Sequence, residues 1–152
     1  MAGFPGQGAS DQRDPRLNDL FTALKTSEAV EAVAAERKIW AIWLETPDRK
    51  IRELLDVGII HMNGGANAEA LKSFDEIVAL APDFAEGWNK RATVHYLLGN
   101  FDASLADIEK TLALEPRHFG ALSGRGLIYS KLEDLEKALT AFEAALDIHP
   151  NM

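Results

Sequence analysis

Four histidines carry the most versatile side chains in this sequence, and none of them sits in a ligand pattern. His61, His95, His118 and His149 lack the His-Glu-x-x-His spacing, or the flanking carboxylate cluster, that would converge two donors on a metal. His61 and His95 instead recur at a fixed interval, which reads as ring-sized packing. Gly124-Arg125-Gly126 and Gly6-Gln7-Gly8 come nearest to a phosphate cradle, yet neither follows a strand or completes a glycine-rich fingerprint. Ser104, Ser123 and Ser130 fall within helical patterns, with no Gly-x-Ser-x-Gly elbow to expose a nucleophile. Cysteine is absent, which excludes disulfides, thiolate metal sites and a cysteine nucleophile. Aspartates and glutamates are abundant but lie on polar helix faces, where a solvated carboxylate is the default. The expectation is a protein that is no enzyme and uses no cofactor or metal.

Composition narrows the partners. The 152 residues are 47% hydrophobic and 26% charged, an ordinary globular balance with enough apolar content for one core. The formal charge of −8 repels phosphate backbones, so nucleic acid is not an expected partner. Nearly all of that charge belongs to residues 51–152, which carry 9 basic and 16 acidic side chains. No apolar run approaches the roughly 18 residues of a membrane span, so no membrane insertion is expected. The start, Met1 to Asp11, has no basic head before an apolar stretch and therefore no visible signal peptide. The compartment stays open between cytoplasm and, for a chain trimmed of its leader, periplasm.

Repetition organises the rest. Pro82, Pro116 and Pro150 are separated by 34 residues and again by 34. In the same register fall Gly58, Ala92 and Gly126, all small, and His61, His95 and Tyr129, all ring-bearing. Ala70, Ser104 and Ala138 are small and each precedes a leucine; Phe74, Ile108 and Phe142 are large and apolar; Asp75, Glu109 and Glu143 are acidic. Each unit reads as two helices. Apolar spacing predicts one from Phe84 to Leu98, capped by Asp83, then a Gly99-Asn100 turn and a second helix from Asp102 to Glu115. Small residues belong where the paired helices approach most closely, with Phe74, Trp88, Tyr129 and Phe142 filling the space around them. One hairpin cannot bury its apolar face alone, whereas three stacked hairpins can.

These columns make residues 51–152 resemble three tandem tetratricopeptide repeats, a family whose period is 34 residues. Gly126, Tyr129, Ala138, Phe142, Ala145 and Pro150 carry the resemblance in the third unit, and Trp88, Ala92, Gly99 and Pro116 in the second. The second unit departs from the family at Arg91, Ser104 and Thr111. The resemblance implies an all-α fold: a right-handed α-solenoid of three helical hairpins with N-terminal capping helices. The division is a flexible tail over 1–14, capping helices or a degenerate repeat over 15–46, and repeats over 47–84, 85–118 and 119–152. Within 15–46, a short stripe of Leu17, Leu20, Phe21 and Leu24 precedes a helix from Ser27 to about Glu45, with Thr46-Pro47 opening the next. Ile39, Trp40, Trp43 and Leu44 are expected to pack on the first repeat rather than on a membrane surface, because basic flanks are sparse.

Family likeness also implies where function sits. The first helix of each pair lines a concave groove, which here would present Arg52, Leu55, Ile59, Met62 and Asn63, then Glu86, Asn89, Thr93, Tyr96 and Leu97, then Ser123, Leu127, Ser130 and Lys131. Apolar anchors among amides and hydroxyls suit an extended peptide or an amphipathic helix, and so an adaptor or scaffold of bacterial type. The clamp for a chaperone's C-terminal carboxylate is not expected, because its basic and amide positions hold Leu55, Ile59, Lys90, Gly120 and Gly124. A rival role is oligomerisation. The chain ends at Asn151-Met152 with no polar helix to cover the last hairpin, which would then pair with a second copy.

Overall fold

The structure is a computed structural model that describes residues 11–152. The expected flexible tail therefore lies, for residues 1–10, outside the described part. Among the described residues there are eight helices and no strand: α1 (Arg16–Thr26), α2 (Ala29–Leu44), α3 (Arg49–Asn63), α4 (Asn67–Leu80), α5 (Ala85–Leu97), α6 (Phe101–Leu114), α7 (Phe119–Lys131) and α8 (Leu135–Ile148). They pair as α1–α2, α3–α4, α5–α6 and α7–α8, and the last three pairs stack in order as an all-α solenoid.

Each of those three hairpins turns in the same way. Gly65 and Gly99 take a left-handed backbone, with φ of 78° and 76°, and Glu133 occupies the same column at φ 60°. The residue after each donates its N–H back to the carbonyl of His61, His95 or Tyr129, at 2.8, 2.8 and 2.9 Å, which closes the helix end. The third turn does this without glycine, although a side chain in that conformation costs on the order of 1 kcal/mol. Aspartate caps two later helices and a histidine caps another. Asp48, not Thr46, accepts the Ile51 N–H at 3.1 Å, so α3 begins after Pro47 rather than at it.

Small residues mark the close approaches. A Cβ on Gly58 would lie 2.6 Å from Phe74 Cε1, and one on Gly126 would lie 2.5 Å from Phe142 Cε1. In the middle hairpin Ser104 replaces the alanine of its neighbours and donates to the Ala92 carbonyl at 2.7 Å, so its hydroxyl is buried without being orphaned. Trp88 is half-buried at the rim, its Nε1–H donating to the Pro82 carbonyl at 2.8 Å and its ring beneath the Arg91 guanidinium.

The α1–α2 hairpin departs from expectation. Apart from Leu44, which reaches the core of the first hairpin, it does not pack there. It lies along the edge where the hairpins are joined, near the proline turns. Leu17, Phe21, Leu24, Ala35, Ile39, Ile42 and Trp43 form one core with Phe119, and Ile148 packs against it. Residues 12–14, expected to be tail, are docked as well. Gln12 donates to the Asp83 carbonyl at 2.7 Å and accepts the Ala85 N–H at 3.2 Å, while Arg13 pairs with the Asp83 carboxylate at 3.1 Å. Gln12 thus does the capping work expected of Asp83, whose side chain turns to Arg13 instead. Arg117 donates to Asn18 at 3.1 Å and covers the Phe21 ring, and Glu36 meets His149 at 3.1 Å. The junctions supply aromatic partners in His118 and Phe119 and polar ones in Arg117 and His149, and these contacts seat the hairpin there. Ile39 and Trp43 are consequently interior, not an interfacial patch.

Candidate functional site

The row of first helices, α3, α5 and α7, has two unlike halves. Near the N-terminal ends of α5 and α7 it is covered by α2. The Trp43 indole stacks on the His118 ring at 4.1 Å with 11° between planes, and Trp40 sits edge-on to His118 and Phe119. Trp40 Cη2 lies 2.8 Å from where a Cβ on Gly120 would be, so only glycine admits the indole there.

Beneath the tryptophans is a buried polar pair. His118 Nδ1 accepts the Ala121 N–H at 3.0 Å and so caps α7, which leaves Nε2–H to donate to Glu86 Oε1 at 2.5 Å. Asn89 donates to Glu86 at 3.1 Å, and the Lys90 ammonium stands 3.6 Å away. Burial alone would push the Glu86 carboxyl up, but the His118 hydrogen bond, the Lys90 charge and the Asn89 hydrogen bond outweigh it and hold the group below its ordinary value. A His–Glu pair can resemble catalytic machinery. Here both side chains are sealed from solvent and one ring nitrogen is committed to a helix cap, so the pair orders the junction.

Beyond α2 the row opens into a hollow of about 300 Å³ between α5 and α7. Asn89, Thr93, Tyr96 and Leu97 form one wall and Ser123 and Leu127 the other, while Ser104 and Ile108 of α6 contribute to the floor. Gly124 opens the space: a Cβ there would meet nothing closer than Ile108 Cδ1 at 3.6 Å. The lining is mostly apolar with a few hydroxyl and amide groups, and no charged side chain lines it.

Of the residues expected on the groove, six therefore come together: Asn89, Thr93, Tyr96, Leu97, Ser123 and Leu127. Glu86 does not, because it is buried against His118. Leu55 is sealed in the first hairpin's core, with Ile59 and Met62 packed against it. Arg52 folds back to donate to the Thr46 carbonyl at 2.8 Å, and Asn63, Ser130 and Lys131 are exposed at or near helix ends outside the hollow. Sequence reasoning missed the floor residues Ser104 and Ile108, which belong to a second helix, and the role of Gly120 and Gly124. The available signal was two glycines four residues apart on one face of a helix. Among the described residues no three His, Asp or Glu side chains could hold a metal ion together, and no helix is long and apolar enough to cross a membrane.

Known proteins share these features. The profile described as tetratricopeptide repeat matches residues 55–107 and 89–152. A TPR repeat-containing protein of Rhizobium etli is 38% identical over 145 residues, which is 95% of this chain and 71% of that protein. The Hsp70-Hsp90 organizing protein of Triticum aestivum is 29% identical over 83 residues, 55% of this chain and only 14% of that protein. Among solved structures, MamA superposes with a TM-score of 0.63 at 19% identity, over 88% of this chain and 78% of that one, a likeness of fold.

Proposed function

Because the chain belongs to the tetratricopeptide-repeat family, whose stacked hairpins are scaffolds for other proteins, we propose that it is a non-catalytic interaction module that seats a partner helix or extended peptide in the row of first helices. The observation that carries this reading is the hollow at Gly124. It continues the face on which the chain's own α2 docks, and it has room for one bulky apolar side chain between Leu97 and Leu127. Asn89, Thr93 and Ser123 supply the polar contacts that would fix orientation. A chaperone carboxylate is a poor ligand for this surface. The single cation at the family's clamp positions, Lys90, is drawn to Glu86 and to the Trp40 ring, and Gly120 and Gly124 offer no side chain.

Selection of displayed 16-residue peptides on the full chain tests the reading. Binders should share one large apolar residue, and their affinity should fall at least tenfold for Gly124→Leu, a variant that fills the hollow. The far-ultraviolet dichroism of that variant should match the parent, and its thermal midpoint should be no lower. Binders insensitive to Gly124→Leu, or no binder at all, would overturn it.

A further inference from the structure

The stack contains two internal junctions, and both are built from the same three columns. At the first, Gly87 of α5 approaches α4 so closely that a Cβ would lie 2.7 Å from Ile77 Cγ2. Arg91 reaches back to Asp75 at 3.0 Å, and Val94 is buried in the core of the preceding hairpin. At the second, Ala121 of α7 takes the close approach, Arg125 reaches back to Glu109 at 2.7 Å, and Ile128 is buried with Ile108. The covering helix therefore reads small-x-x-x-Arg-x-x-aliphatic, and the covered helix answers with an apolar stripe and an acid.

Helix α8 repeats the covered side of this pattern. Leu139, Phe142 and Leu146 stand in the columns of Leu105, Ile108 and Leu112, and Glu143 in the column of Asp75 and Glu109. Among the described residues Leu139 and Leu146 are left 60% and 44% exposed and Glu143 makes no ion pair, while Phe142 is half-buried against Gly126 of its own hairpin. Head-to-tail stacking of a second copy of this chain would offer the wrong helix. On α3 the three columns hold Glu53, Val57 and Ile60, of which only the last fits the pattern. Glu53 would force a charged side chain into the close approach, and Val57 would leave Glu143 without a cation.

We propose that the α8 face is a docking surface for a partner helix bearing the pattern small-x-x-x-Arg-x-x-aliphatic, with its arginine on Glu143. This surface is separate from the hollow, and its proposal stands independently of the groove reading. The probe is a fluorescent peptide of residues 84–98 of this chain, stapled between positions 86 and 90 so that the face of Gly87, Arg91 and Val94 stays free. Titrated into the full chain, it should bind saturably. Glu143→Arg should weaken binding roughly tenfold, and a probe carrying glutamate at position 91 should recover affinity for that variant. Leu139→Lys should abolish binding, and Gly124→Leu should leave it unchanged. Equal affinity for Glu143→Arg, absence of saturable binding, or self-association of the chain in sedimentation that does not depend on Glu143 would each overturn the proposal.

Discussion

Gly120 and Gly124 are one helical turn apart on α7 and meet opposite fates. Above Gly120 the space is taken by the Trp40 indole, with Trp43 stacked on His118 beside it. Above Gly124 the same face is open. A repeat surface that a family likeness assigns wholly to ligand is here divided, one half turned into core by the chain's own second helix and the other left open. Glycine reserves room in both cases. Whether the room is filled depends on a segment distant in sequence.

The sharpest way to break this comparison is to remove the filling. Trp43→Ala should cost about 3–5 kcal/mol in urea unfolding, because a large, fully buried ring is lost from the core joining α1, α2 and α7. Leu127→Ala, on the open half, should change stability by less than about 0.5 kcal/mol. If both substitutions cost the same, the two halves are not distinct.

Acid should also act on the filled half. Glu86 is held below its ordinary 4.5 in the folded chain. Its contribution is therefore complete above that value and is lost as pH falls through the lower folded value. Glu86→Gln should be about 1–3 kcal/mol less stable at neutral pH, and the gap from the parent should narrow as pH drops below about 4.5. Thermal midpoints from pH 7 down to 3 for both proteins measure this. A gap that stays constant would show that the buried carboxylate is not ionised.

A pair of alanine substitutions gives the finest contrast. Gly120→Ala should destabilise by about 1–3 kcal/mol, because the Trp40 ring must move. Gly124→Ala should stabilise by up to about 1 kcal/mol, since a helical glycine is replaced where space exists. Opposite signs at positions one turn apart would confirm that one site is full and the other empty.

The sequence makes the stacked part legible because each unit repeats the same local physics. The close approaches at Gly58 and Gly126 and the turns at Gly65 and Gly99 follow from residue type alone. Glu133 hides its left-handed turn because a glutamate gives no local sign of it; only its register with Gly65 and Gly99 does. The N-terminal docking is illegible for a different reason. His118 and Glu86 are 32 residues apart, Glu36 and His149 are 113 apart, and Gln12 meets Ala85 across 73. No periodicity connects those residues, so their partnership becomes visible only when the chain is folded. Glu86 had the spacing of a groove residue, and its partner hid it.

The N-terminal strap also sets an order of events during synthesis. Helix α2, with Trp40 and Trp43, leaves the ribosome well before Phe119, Ile148 and His149, against which the α1–α2 hairpin closes. Until the third repeat has been made, two indoles have no home, and the nascent chain needs either speed or a chaperone to avoid sticking. Once closed, the α1–α2 hairpin clasps the third repeat, so fraying that repeat would loosen the N-terminal hairpin with it.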